Sequence, residues 1–192
     1  MADRLMADDS QLRKPDVRLH LLVLRCQTGD EQAFRRLMEE FGPRTLRHLR
    51  TLIGDDAEDV QQDVWLTVYR QIASLANPSA FKTWLFSTTR HRAIDFLRRR
   101  KREQVLMDEF ALAVPVTTEA VDDLEDPIDD AQLNVALADL PPAQREVLLL
   151  RYRDEMSYSE IAVVVGCPIG TVRTRLHHAK KRLHERLKEV NI

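Results

Sequence analysis

The chain has 192 residues, 44% hydrophobic and 31% charged, with a formal net charge of −2 and only five glycines. That length holds one large domain or two small ones with real cores, and the many long charged side chains with few glycines predict an all-helical protein. No apolar run reaches transmembrane length, the charged N-terminus lacks a signal-peptide core, and Cys26 and Cys167 belong to no Cys/His cluster; these features argue against membrane insertion, a disulfide framework and a structural metal, and predict a cytoplasmic protein.

The near-zero net charge hides a segregation. Arg90 to Arg102 and the C-terminal 25 or so residues are basic, whereas Asp108 to Asp130 holds nine acids and no Lys or Arg. Residues 1–18 are polar and weakly patterned and predict an extension. A first helix is expected over Leu19 to Cys26. Thr28 and Glu31 have capping-box spacing, and Phe34, Leu37, Met38 and Phe41 then follow at i, i+3, i+4 and i+7, an amphipathic stripe. Gly42-Pro43 predicts a kink or interruption before Leu46, Leu49 and Ile53 resume the pattern, and Gly54 closes it.

Asp55 and Glu58 open another helix, to about Ser74, with Ala57, Val60, Val64 and Val68 on one side. Asn77-Pro78-Ser79 reads as a turn. The helix from Ala80 to about Lys101 is apolar on more than one side, through Phe81, Trp84, Leu85, Phe86, Ala93, Phe96 and Leu97, and should pack between neighbours. Residues 104–130 lose periodicity and read as an acidic flexible linker. A second helical domain over 131–192 follows: a helix over Ala131 to Asp139, a second through Arg145 to Tyr152, and a helix–turn–helix. Ser157 and Glu160 make a capping box; Ile161, Val164 and Val165 an apolar stripe; Gly166 a C-cap; and Pro168 the first turn of the last helix.

Three segments carry chemistry. In the helix from Asp55, the face opposite the valines holds Asp59, Gln62, Asp63, Leu66 and Arg70, with Trp65 and Tyr69 at its flank. A solvated amphipathic helix explains this face; so does a protein-docking surface with Leu66 and the aromatics as anchors. The second segment mixes Phe81, Trp84 and Phe86 with Arg90, Arg92 and the 98–102 run that includes Arg98 and Arg99. These residues could be ordinary core and a solubilising helix end. Together they also suit opened DNA, with aromatics stacking on bases and cations following phosphates. The third is the basic last helix, with the geometry of a major-groove reader. Thr171, Arg173, Thr174, His177 and His178 are candidates for base edges, and Arg175 and Lys181 complete the candidate DNA-contacting set. Adjacent His177 and His178 point about 100° apart and make a poor metal pair.

These motifs, in this order, resemble a bacterial RNA polymerase sigma factor of the extracytoplasmic-function (ECF) group. DAEDVQQDVWLTVYR (56–70) resembles region 2.2, FKTWLFSTTRHRAIDFLRRRKR (81–102) resembles regions 2.3 and 2.4, and LPPAQREVLLLRYRDEMSYSEIAVVVGCPIGTVRTRLHHAKKRL (140–183) resembles region 4. The resemblance implies two helical domains, region 2 over 19–103 and region 4 over 131–192. It implies that Asp59, Gln62, Asp63, Leu66 and Tyr69 bind the clamp of core RNA polymerase. It implies further that the loop from Leu75 to Ala80, with Asn77, Ser79 and Phe81, captures a flipped base of the minus-ten element. Region 4 would read the minus-thirty-five element and bind the polymerase flap. Promoter DNA and an anti-sigma factor are the other implied partners, with no cofactor and no catalytic activity. Where many relatives have His-Arg, this chain has His177-His178, and a His cannot make the bidentate guanine contact of an Arg. A free-standing helix–turn–helix regulator would explain residues 140–188 alone. A metal-dependent nuclease built on Asp55 to Asp63 lacks a partner motif.

Overall fold

The computed structural model describes residues 16–108 and 131–190, and every regular element among them is helical. Most of the extension expected over 1–18 and most of the acidic linker lie outside the described residues; Val17 and Arg18, placed in that extension, already belong to the first helix. Eight α-helices form two groups. The first contains α1 (Val17–Gln27), α2 (Glu31–Ile53), α3 (Ala57–Gln71) and α4 (Phe81–Asp108). The second contains α5 (Ala131–Ala138), α6 (Pro142–Tyr152), α7 (Tyr158–Val165) and α8 (Ile169–Val190).

Helix starts follow local chemistry. Asp16 caps α1 by accepting from the Leu19 N–H at 3.1 Å. The cap of α2 is Asp30, not Thr28 as the capping-box spacing suggested: Asp30 accepts from the Ala33 N–H at 3.0 Å, and Thr28 instead ends α1. The Ala33 N–H and the Arg25 guanidinium, 2.6 Å away, both favour the ionised carboxylate and lower its pKa.

The break expected at Gly42-Pro43 does not occur. α2 is continuous through Pro43. Proline removes one N–H and leaves an acceptor short, but burial of Phe41, Thr45 and Leu49 on either side holds the helix together. The Gly42 carbonyl accepts from Gln61 of α3 at 2.6 Å and from the Thr45 hydroxyl at 3.0 Å. At the other end, α4 runs past the expected boundary to Asp108, because Glu103, Gln104, Leu106 and Met107 are all good helix formers.

α2 is the centre of the first group and packs on α1, α3 and α4. Leu37, Phe41, Leu49, Val64, Val68, Phe81, Leu85 and Phe86 make its core, with Phe41 edge-on to Phe81 at 5.5 Å. In the second group α8 packs on α5, α6 and α7 around Val147, Leu150, Met156, Ile161, Val172 and Leu176. The two groups touch: α7 lies on α4 and α6 on α2.

Candidate nucleic-acid and docking surfaces

α3 presents two faces. Ala57, Val60, Val64 and Val68 are buried, whereas Asp59, Gln62, Asp63, Leu66 and Tyr69 are exposed. Leu66 is 52% and Tyr69 62% exposed. Trp65 departs from the anchor expected of it: it is buried, edge-on to Phe34 at 6.0 Å. The rest of the patch comes from α2. Phe34 also packs edge-on to Tyr69 at 5.3 Å, and Met38 stands 40% exposed. Both belong to the amphipathic stripe that periodicity marks on this helix. Only Leu37 and Phe41 lie at its centre, and a stripe's edges are set by how closely α3 approaches.

The segment before α4 is a short 3-10 turn, Pro78–Ala80, capped by Asn77, whose side chain accepts from the Ser79 N–H at 3.0 Å. α1 fixes this segment in place. Gln27 donates to the carbonyls of Ile72 and Leu75 at 3.0 and 2.8 Å, and His20 Nδ1 lies 2.9 Å from the Ser79 hydroxyl. Asn77 and Ser79 are exposed. Phe81 corrects the expectation of a base-stacking residue. It is fully buried against Phe41, because the first residue of α4 points inward, and Phe86 is equally buried. Trp84, tilted against Phe81 at 6.1 Å, is half-buried and is the one aromatic of the three with a face near solvent.

Cations extend along the rest of α4. Arg92 donates to the Thr67 hydroxyl at 2.8 Å, and Arg98 and Arg99 are exposed. Arg92, Arg98, Arg99, Lys101 and Arg102 share an open groove with Asp95 and with Asp63 of α3, so an acid of the exposed α3 face lies beside the cationic strip. Arg90 turns the other way, toward the second group, where its Nε donates to Glu146 at 2.9 Å.

In the helix–turn–helix, Ser157 Oγ accepts from the Glu160 N–H at 3.2 Å while Glu160 accepts from the Ser157 N–H at 2.7 Å, the reciprocal capping box. Gly166 ends α7 at φ 67°, a conformation that costs a glycine nothing. The following chain enters α8, whose first turn bonds to the Pro168 carbonyl. Arg173, Thr174, His177, His178 and Lys181 are exposed along α8; Thr171 and Arg175 are half-buried, and the charge of Arg175 is felt by Glu146 on α6. Among the described residues no group of three or more His, Cys, Asp or Glu is placed to hold a metal ion, and no helix is long and apolar enough to cross a membrane.

The family model for sigma-70 region 2 matches residues 37–103, and that for sigma-70 region 4 matches residues 130–183. The RNA polymerase sigma-H factor of Pseudomonas aeruginosa is 30% identical over 177 residues, covering 86% of this chain and 92% of that protein. The ECF RNA polymerase sigma-E factor of Haemophilus influenzae is 30% identical over 176 residues, 86% of this chain and 93% of the relative.

The chain belongs to the ECF group of sigma factors.

Its role is promoter-directed transcription initiation. The ECF sigma factor SigW of Bacillus subtilis is also similar, 28% identical over 88% of this chain and 96% of its own length. Among solved structures, the sigma factor RpoE of Bartonella quintana, in complex with the anti-sigma factor NepR, superposes with a TM-score of 0.63 at 29% identity, over 81% of this chain and 96% of that one. CnrH, solved with the cytosolic domain of CnrY, shares the fold at a TM-score of 0.60 and 21% identity, over 89% and 97% of the two chains.

In this ECF factor the fold makes two pairings across its two groups that no local pattern marks: Arg44 and Lys82 with Asp154, and Arg90 with Glu146. Glu146 and Asp154 are 3% and 4% exposed. Two carboxylates in an amphipathic segment normally face water, and nothing in their local pattern marks them as buried.

Proposed function

We propose that this protein docks on the clamp of core RNA polymerase through Asp59, Gln62, Asp63, Leu66 and Tyr69, with Phe34 and Met38 widening the apolar centre. The observation that carries this reading is the α3 face itself: Leu66 and Tyr69 stand exposed within a rim of acids and amides, opposite a fully buried valine stripe. Large apolar side chains ringed by polar ones are the usual anatomy of a protein interface.

The first domain then holds the opened minus-ten element. Asn77 and Ser79 offer hydrogen-bonding groups on a turn pinned by Gln27 and His20, Trp84 offers a stacking face with Phe81 beneath it, and Arg90, Arg92, Arg98 and Arg99 follow the backbone. The second domain reads the minus-thirty-five element as duplex. Arg173, Thr174, His177 and His178 lie toward the groove-facing part of α8; Thr171, Arg175 and Lys181 flank them. Its partners are core polymerase at clamp and flap, promoter DNA and an anti-sigma factor, and it works in the cytoplasm. A regulator acting without polymerase would leave the α3 face and the region 2 match without a role.

Run-off transcription with purified core polymerase on a promoter library tests the whole reading. Core-dependent initiation from a defined subset of promoters is the expected result. Tight operator binding without any core-dependent transcript would overturn it.

A further inference from the structure

The segment leading into α4 is held from outside by one side of α1. His20 and Gln27 are seven residues apart, close to two helical turns, so they lie one above the other about 10 Å apart on that side. Gln27 reaches the near end of the segment: its Nε2 donates to the Ile72 carbonyl at 3.0 Å and to the Leu75 carbonyl at 2.8 Å. Carbonyls only accept, so the nitrogen of the carboxamide has to face them, and both its hydrogens are committed. His20 reaches the far end, with Nδ1 2.9 Å from the Ser79 hydroxyl. Leu22, Val23 and Cys26 are buried, and Asp16 and Thr28 cap the two ends of the helix, so α1 is a firm support.

These bonds constrain which polar groups the Asn77–Ser79 turn can offer. Asn77 commits its side-chain oxygen to the Ser79 N–H at 3.0 Å, which fixes the direction of its amide nitrogen. A hydroxyl has one hydrogen and two lone pairs. The ring nitrogen of His20 occupies one or the other, and so constrains whether Ser79 meets a further group as donor or as acceptor. Asn77 and Ser79 are exposed, whereas His20 and Gln27 are half-buried, so the first pair can touch a ligand and the second acts through the first. α1 also lies before the segment matched by the region 2 model, which begins at residue 37.

We propose that His20 and Gln27 are specificity-determining positioning residues: from α1 they set the form in which the Asn77–Ser79 turn accepts an unpaired base of the minus-ten element, and so which base is preferred there. The inference rests on the reading of that turn as a minus-ten capture site. The site then has two layers. Asn77 and Ser79 meet the base; His20 orients the Ser79 hydroxyl, and Gln27 fixes the path of the chain into the turn. An extruded base is read by the directions of donors and acceptors along its edge. A change in the supporting layer therefore alters the ranking of bases at one position, not the strength of promoter binding as a whole.

The test reads the minus-ten motif by promoter-library selection in run-off transcription, with the full chain and core polymerase. Ser79→Ala and Asn77→Ala report on the turn; His20→Leu and Gln27→Glu report on its support. Glutamate keeps the shape of Gln27 but offers the two carbonyls only acceptors. Both support variants should initiate. They should lower the base preference at the minus-ten position that Ser79→Ala affects by roughly two- to ten-fold, the span of one net hydrogen bond. The minus-thirty-five motif should be unchanged, and His20→Asn, which keeps a polar nitrogen near Ser79, should recover part of the preference. A merely structural role of α1 gives a different result: a lower melting temperature and weaker output from all promoters alike, with the order of bases intact. That result overturns the proposal, and so does a wild-type motif at wild-type output. If Gln27→Glu loses helicity, His20→Leu decides, because His20 lies outside the buried core. A changed motif in Ser79→Ala beside an unchanged one in His20→Leu removes only the support. An unchanged motif in both Ser79→Ala and Asn77→Ala removes the reading of the turn, and the support with it.

Discussion

Arg173 of α8 reaches back over the ring of Tyr158, the first residue of α7, with its guanidinium carbon 5.9 Å from the ring centroid. Arg151 of α6 covers the same ring at 4.9 Å and ties itself to the Met156 carbonyl at 2.8 Å. One aromatic therefore links all three helices around the helix–turn–helix, and it biases the rotamer of Arg173. Exposed cation–π contacts are worth about 0.5–1 kcal/mol. Tyr158→Phe should keep the promoter preference. Tyr158→Leu should weaken discrimination at a single minus-thirty-five base pair by a few-fold, read by library selection. Equal motifs for Tyr158→Leu and wild type would show that the stack does not orient Arg173.

His178 gives the sharper specificity test. An imidazole offers one bond where an Arg offers a fork to guanine O6 and N7. His178→Arg should raise preference for guanine at one minus-thirty-five position, by about 1–3 kcal/mol at that pair. An unchanged motif would mean that the exposed side of α8 carrying His178 does not face the bases.

Asp63→Arg combined with Leu66→Glu should abolish binding to core polymerase, measured by co-elution, with helicity unchanged. Both side chains are exposed on α3 and contribute nothing to the valine core. Wild-type affinity in the double variant would remove the docking assignment.

Acid should destabilise the protein through His48. Its ring is fully buried, edge-on to Phe86 at 5.5 Å, with Nε2 3.8 Å from Glu146 and without a hydrogen bond among the described residues. Burial, helped by the Arg90 charge, pushes its pKa down to about 4 from 6.5. The unfolded chain thus takes up a proton below pH 6.5 that the folded one refuses. The stability His48 contributes is complete above 6.5 and is lost as pH falls toward about 4, on the order of 3 kcal/mol in all. Burial raises the pKa of Glu146 and Asp154, which acts with the opposite sign: ionising them is penalised, so their contribution is lost as pH rises through the raised values. The difference between wild type and His48→Gln isolates the histidine. Melting temperature should fall more steeply between pH 6.5 and 4 in the wild type. Parallel curves would show that His48 is protonated without penalty.

Ser157→Ala removes one half of the capping box and should cost about 1 kcal/mol. Glu160 also accepts from Thr83 of the first domain, so freeing its carboxylate touches both domains. A drop of a few degrees in melting temperature is expected. No change would mean that solvent satisfies the first turn of α7 equally well.

Features set by a few neighbouring residues were determined by the sequence itself. The Ser157–Glu160 box, the left-handed Gly166, the buried face of Ala57, Val60, Val64 and Val68 and the exposed acids opposite all depend on spacing within one or two helical turns, and spacing is visible in a linear string. The order of the three motif blocks fixed the family for the same reason. Helix packing decided the rest. Phe81 and Trp65 are as compatible with a surface role as with a core until α2 covers them. Phe34 meets Trp65 and Tyr69 only because α2 packs on α3. Pro43 is tolerated because its neighbours are buried on both sides. Glu146 and Asp154 are separated from their guanidiniums by 56 and 110 residues, and no local pattern marks a carboxylate whose counter-charge lies in the other domain. The guanidiniums that offset the burial of those two acids reach them only once both domains are folded and in contact.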